Sequence, residues 1–433
     1  MASDPADGDC GLCAAGPGAG PPQAVTTRRS LMDLSALGSR GFRIYLAANF
    51  VSIVGIWINR VTVGWLGWSL TGSTAWVGAL SFLLYAPTLV AGPFFGALAD
   101  RIDVRRGAVA TQAALALLTL ALGCLSIAGL MTIWMLAAIA LLLGAVASAN
   151  GPIRLTLVPQ LVAPAVIANA ITLISINFNA ARLVGPAVGG LLIGRFGVGT
   201  TSFASLALML PMLVTLPLLS IRDKQPPTAG RGVAAQLLEA LWRILGKAEL
   251  CQAMAVTAVT SIVAGGSLEV MPAVVDGVFG RGAAGLGQTL SAAGAGALCC
   301  GLSMIFARGA FSSAARLRAA CLWMAAGTAI VFAFGMISAW PLAIGLCFGL
   351  GAVGTFTSVT TQAVVQLDAG DAFRGRAIGF WLLVSVGGTA LGALLYGMVA
   401  DAVGIRAALI TLGALGSTVS LAVCGWVFGV RTP

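Results

Sequence analysis

Twelve apolar stretches, each about 20 residues long and so each long enough to cross a bilayer, occupy this chain from Phe42 to Phe428 and fall into two matching sets of six. Backbone N–H and C=O groups find no water in hydrocarbon, so only helices or closed barrels cross it. The mean hydropathy is +0.99. Charged residues make up 9% of the chain, against about 25% in soluble domains. These features predict an all-α integral membrane protein with 12 transmembrane helices.

The 433 residues include no histidine. That removes the commonest metal ligand and the one side chain that titrates near neutrality unperturbed. Of the nine cysteines, most lie inside apolar stretches, where a thiol behaves as a small hydrophobe. Cys10 and Cys13 form a C-x-x-C with no second ligand pair beside it. The expectation is no metal and no cofactor. The net charge of +10 reports topology. With the N-terminus in the cytoplasm, every Lys and Arg except Arg60, Arg182, Arg195, Arg281 and Arg406 falls on the inner side, as the positive-inside rule requires. Both termini are then cytoplasmic, and no nucleic-acid partner is implied.

The apolar pattern divides the chain into a disordered tail over 1–41, a six-helix bundle over 42–221, a polar linker over 222–249 and a second six-helix bundle over 250–429. Met32 is a second candidate start. The predicted spans include 42–68, 131–151, 168–194, 199–221, 250–277 and 376–400. Gly185-Pro-Ala-Val-Gly189-Gly-Leu-Leu-Ile-Gly194 in the fifth span reads against Gly388-Thr-Ala-Leu-Gly392-Ala-Leu-Leu-Tyr-Gly397 in the eleventh. Pro159-Gln160-Leu161 corresponds in the same way to Val365-Gln366-Leu367. A duplicated six-helix unit accounts for both, and parallel repeats of this kind hold substrate between their halves.

Charges inside a membrane are expensive and normally face a cavity or a partner. Arg60 sits deep in the first span, on a stripe with Asn49, Ser52 and Asn59 at about 100° per residue. Arg182 shares a stripe of the fifth span with Thr172, Ser175, Asn179 and Pro186. Glu269 lies in the seventh span with Ser261, Gly265, Pro272 and Asp276 on its face, and Gly265, Gly266 and Pro272 should loosen the helix there. The repeat makes spans one and seven counterparts, so Arg60 and Glu269 are expected at similar depth, paired when the outer side is closed. The candidate substrate and coupling residues are Arg60, Glu269, Arg182, Asn59, Asn179 and Asp276. Two arginines against one deep carboxylate favour an anionic or polar solute. Two further clusters stand out. Gly96, Asp100, Arg101, Asp103, Arg105 and Arg106, after the second span, have the composition of an ion-pair latch on the cytoplasmic face. Gly185, Pro186, Gly189 and Gly190 give the small-residue surface by which membrane helices pack closely.

The run Gly96-Ala-Leu-Ala-Asp100-Arg101-Ile-Asp103-Val-Arg105-Arg106 resembles the signature loop of the major facilitator superfamily, with Asp103 where a second glycine is usual. That departure, Leu70-Thr-Gly-Ser-Thr-Ala-Trp76-Val-Gly78 and Asn179-Ala-Ala-Arg182-Leu-Val-Gly185-Pro186-Ala-Val-Gly189-Gly190 are similar to the subgroup of transmembrane secretion effectors and the enterobactin exporter. The resemblance covers 42–428. It implies two pseudo-symmetric bundles in a bacterial inner membrane and a monomer working by alternating access on a small-molecule substrate. Val184-Gly185-Pro186-Ala-Val-Gly189-Gly190 resembles part of the antiporter motif of drug exporters, with Ala181 in place of its first glycine. This points to export of an anionic or siderophore-like solute, with Glu269 as the carrier if protons are exchanged. The competing expectations are an importer of the same fold and a non-transporting receptor or assembly protein that retains it. No enzyme is expected: there is no histidine, no long catalytic loop and no nucleophile–base constellation, and without a phosphate-binding G-x-x-x-x-G-K-S/T loop no ATP-driven pump is expected within this chain.

Overall fold

A computed structural model describes residues 35–99, 103–219, 242, 244–306, 312–370 and 373–429, with the side chains of 90–99, 168, 305 and 306 left aside. Among the described residues, twelve long helical segments follow one another: α1 (Arg40–Thr71), α2 (Thr74–Ala99), α3 (Val104–Ile127), α4 (Ile133–Leu161), α5 (167–196), α6 (198–218), α7 (248–277), α8 (Gly282–Phe306), α9 (Ser313–Met336), α10 (Trp340–Asp368), α11 (Arg374–Val403) and α12 (Ile405–Gly429). Among the described residues, nine helices are long and apolar enough to cross a membrane, the joined α5–α6 pair counting once. That pair turns at Gly197, whose φ of 78° a side chain would disfavour.

Element ends follow from local chemistry. Ser39 caps α1 by accepting from the Phe42 amide, and Gly72 closes it in the left-handed conformation at φ 60°. Asp103 accepts from the amides of Arg105 and Arg106 and so starts α3. α7 contains a π turn at Ser261–Gly265 and breaks at Val270, just before Pro272. The helix therefore opens where Gly265, Gly266 and Pro272 are expected to loosen it.

The chain departs from the expected boundaries in several places, three of which bear on the packing. Residues 35–39 are ordered: Ala36 is buried, its amide donates to Asn169 Oδ1 at 3.1 Å, and the Ser39 hydroxyl donates to the Leu161 carbonyl at 2.9 Å. α4 continues past Pro152 and Pro159 to Leu161 instead of ending at 151. Neighbouring helices re-satisfy the backbone that proline frees in such a bundle. α7 begins at Ala248, inside the stretch expected to be linker. Residues 1–34, and 222–241 and 243 of the linker, lie outside the described residues.

Two sets of six helices face each other. In the first, α1 packs against α5 and α6, α2 against α4, and α3 against α4 and α6. In the second, α8 and α9 pack on α10, α9 on α12, and α7 on α11. The sets meet along α2 with α11 and α5 with α8. Glycines make these crossings close. A Cβ on Gly397 of α11 would stand 2.8 Å from the Thr74 carbonyl oxygen, and one on Gly190 of α5 would stand 2.9 Å from that of Ala283 while overlapping Gly287.

Inside the first set, one buried cation ties five helices together. Arg154 of α4 donates to Asn49 Oδ1 (3.0 Å) and Ser52 Oγ (3.1 Å) of α1 and to Gln112 Oε1 (2.5 Å) of α3. Gln112 donates onward to the Met209 carbonyl of α6 at 3.1 Å, and Asn49 to Asn177 Oδ1 of α5 at 3.0 Å. Arg154, expected in a cytoplasmic loop, is thus an internal residue, 8% exposed.

Candidate substrate site and closing face

The break in α7 leaves Glu269 aimed at α1. Arg60 Nη2 lies 3.1 Å from Glu269 Oε1 and 3.2 Å from Oε2, and the Tyr85 hydroxyl of α2 donates to Oε1 at 2.8 Å. This half-buried ion pair joins the two sets of helices. Two further ties lie beyond it, toward the face that carries the α1–α2 turn. Trp68 Nε1 donates to Asp276 Oδ2 at 2.8 Å. Asp401, at the end of α11, accepts from the Ser73 hydroxyl (2.5 Å) and from the amides of Thr74 (2.7 Å) and Ala75 (3.1 Å). The carboxylate therefore caps the start of α2 from the other set of helices, where the helix dipole favours it. In all three tiers, carboxylates on α7 and α11 accept from donors on α1, α2 and the turn between them. At this face the two sets are closed upon each other.

α5 shows what lies between them. Its Gly185 and Gly189 abut Trp57 and Ile58 of α1, while its Leu183, Gly190 and Gly194 abut α8. Thr172, Ser175, Asn179 and Arg182 project from the arc between those two contact faces, by helical periodicity, and all four are exposed. Asn179 donates to the Ser175 carbonyl at 2.8 Å. The Arg182 guanidinium lies 5.6 Å from the centre of the Trp57 ring, and Arg60 lies 5.2 Å from the same ring and 4.1 Å from that of Tyr85. Phe178 meets Trp57 edge-on at 6.2 Å. The polar stripe of α5 thus lines a wedge between the two sets, with aromatic rings and cations at its apex.

The structure brings Arg60, Glu269 and Arg182 into one neighbourhood, with Asp276 further out and Asn179 one turn along α5. Asn59 turns away: it is buried and donates to Thr119 Oγ1 of α3 at 2.9 Å. The stripe drawn through Asn49, Ser52, Asn59 and Arg60 divides here, because the first three point into their own bundle. Pro186 is buried, and the glycines beside it split their task, Gly185 and Gly189 seating α1 and Gly190 seating α8. Of the expected latch, Asp100 and Arg101 lie outside the described residues, and Gly96 is described only as part of α2. Asp103 forms an exposed pair with Arg106 at 3.6 Å, and Arg105 donates to the Leu219 carbonyl at the end of α6. Sequence reasoning missed Tyr85, Trp57 and Asp401 as members of the site and its closure. Tyr85 carried a signal, as one of three tyrosines in the chain and a polar ring inside an apolar span. Asp401 fell one residue past the expected end of its span.

Solved transporters share this architecture. The structure aligns with that of the nucleoside transporter NupG at a TM-score of 0.70 and 14% identity, over 90% of this chain and 100% of that one. It aligns with a bacterial homologue of the lysosomal transporter Spinster, in its inward-facing and unoccupied conformation, at 0.67 and 15%, over 92% and 100%. Twelve helices in two facing halves, closed on each other at one face, define a multi-pass membrane transporter of the major facilitator type. Within that class the chain belongs to the transmembrane secretion effector family, whose model matches residues 32–428. Its sequence is 28% identical to the enterobactin exporter EntS of Shigella boydii serotype 4, over 85% of this chain and 87% of that protein. It is 25% identical to the staphyloferrin A transporter of Staphylococcus aureus over 44% and 48%.

Proposed function

We propose that this transporter exports a small anionic, siderophore-like solute from the cytoplasm across the bacterial inner membrane. It works as a monomer, with both termini cytoplasmic and no nucleic-acid partner. The basic residues on one side support that orientation, which makes the closed α1–α2 face the outer one and the state described here inward-facing. The similarity to the enterobactin exporter supports the direction and the solute class.

The observation that carries the reading is the state of charge at the apex of the wedge. Glu269 neutralises Arg60, and Arg182 has no carboxylate or other hydrogen-bonding partner among the described residues. A guanidinium left so, at membrane depth, is expected to meet an anion. Arg60, Glu269 and Tyr85 then form the gate that opens outward once solute is bound. Glu269 is the residue to carry a proton if export is coupled to proton entry.

Transport into inverted vesicles by the purified, reconstituted protein tests this, using anionic, zwitterionic and cationic solutes with and without a pH gradient. Anion uptake that falls at least tenfold in Arg182→Gln is expected. Movement of lipophilic cations alone would overturn the reading.

A further inference from the structure

At the closed face, apart from the three ties, the first set of helices holds a cavity of about 340 Å³. Its walls come from three places: Leu66 and Leu70 in the last turn of α1, Ser126 and Met131 around the α3–α4 turn, and Phe196 and Thr200 around the α5–α6 turn. Gly129 and Gly197 line it at those two turns, both at positive φ, and a Cβ on either would meet nothing within 4 Å. These glycines serve the turns, and the space beside them stays open. No lining residue is charged. Leu66 and Met131 belong to the buried core, whereas Leu70 and Phe196 are exposed at the rim. Two polar groups here lack a partner. The Ser126 hydroxyl is buried and unbonded among the described residues, although Thr201 and Ser202 close by on α6 each donate to a carbonyl one turn back. Arg195, next to Phe196, is exposed and has no hydrogen bond or ion pair among the described residues.

An apolar void forfeits dispersion contacts along its lining, and ordered water needs several polar partners apiece. In a bilayer the nearest filling is an acyl chain. We infer that the cavity binds one acyl chain of an anionic phospholipid from the leaflet at the closed face. The chain fills the space between Leu66, Met131 and Phe196, its ester carbonyl accepts from the Ser126 hydroxyl, and its phosphate meets the Arg195 guanidinium. A phospholipid carries an anion and an acceptor at two depths, and this site offers a cation at its rim and a donor in its wall. A fatty acid, with one polar end, satisfies only one of them. The lining has no carboxylate to receive a headgroup ammonium, which favours an anionic headgroup over a zwitterionic one. Lipid tails are as apolar as the lining, so hydrophobic drive does not hold the chain. Packing and the two polar contacts do, and they make Ser126 and Arg195 the selective residues. The site belongs to the first set of helices alone and does not rest on the solute reading above.

Photo-crosslinking of the full chain in proteoliposomes tests this, using phosphatidylglycerol with a diazirine at mid-chain and peptide mapping of the adducts. Capture on residues 66–70, 126–131 and 196–200 should saturate as labelled lipid rises. Capture on the exposed Leu210 and Val214 of α6 should instead rise in proportion. Ser126→Phe, which fills the cavity, should cut the first about tenfold and leave the second as it was. Arg195→Gln should remove a preference of about threefold over phosphatidylcholine of the same chains, the range of an exposed ion pair. Thr200→Trp, at the exposed rim, narrows the mouth and carries the test if Ser126→Phe does not fold. Capture that never saturates, or that is unchanged in the folded cavity variants, would overturn the site. Equal capture of the two lipids by the wild type would overturn its anionic selectivity. Displacement by soluble glycerol 3-phosphate as readily as by unlabelled phosphatidylglycerol would overturn the lipid as occupant in favour of a free anion.

Discussion

Arg154 shows how a cation can be housed at depth without a carboxylate. Its guanidinium spreads over the oxygens of Asn49, Ser52 and Gln112, each held in turn by a neighbour. Lipid supplies little hydrophobic drive for helices to associate, so such bonds and close packing must hold the bundle. Removing one acceptor leaves a buried charge short of a partner. Gln112→Leu should therefore lower stability by about 1–3 kcal/mol, seen as a fall in the melting temperature of the purified protein; an unchanged melting curve would remove Arg154 from that role. At the Arg60–Glu269 pair, Tyr85→Phe deletes a bond to a charged group worth about 1.5 kcal/mol. It should shift the protein roughly tenfold toward opening at the closed face, read as faster thiol labelling of a cysteine placed at Val61. Little of this was legible in the chain. Arg154 follows Gly151-Pro152, a pair that reads as a loop. Helical angles group Asn59 with Arg60, although about 100° on the helix separates a residue facing α3 from one facing α7. In a bundle every face has a neighbour, so a polar stripe alone does not say which one it meets.

Helix existence was the legible part at the next scale. Long apolar runs carried the number of spans, and the likeness of the fifth to the eleventh pointed to which helices are counterparts. Local geometry was less so. Prolines that would end a soluble helix sit inside α4, α5 and α6, and one glycine bends α5 into α6 without a loop. Glycine at the crossings has a sharper meaning than small size. Gly190 faces Gly287 across the two halves with no room for a side chain, whereas Gly185, five residues earlier in the same motif, seats α1 within its own half. Gly190→Val should wedge α5 from α8. The spin-label distance between 195 and 281 should then lengthen by several ångströms, while the helix content in circular dichroism stays as it was. An unchanged distance would mean that α5 and α8 do not form the closing contact.

For the molecule as a whole, closure is one-sided in chemistry as well as in place. Glu269, Asp276 and Asp401 all belong to the second half, and all reach to the first. Asp401 is exposed, so its capping of α2 is worth about 1 kcal/mol. Asp401→Ala should move the balance of states about fivefold toward the form open at the α1–α2 face, measured by double electron–electron resonance across α2 and α11. Equal distance distributions in both proteins would discard the cap as a determinant of the balance. The π turn at Ser261–Gly265 has a consequence for how the deepest of these ties is released. A π turn holds one residue more than an α turn. If it rewound as α, everything beyond it would rotate by about 100° about the axis, swinging Glu269 off Arg60 without a new bend in α7. The tie would then let go as a bolt does, by unscrewing, one helical turn from the place where the rewinding occurs.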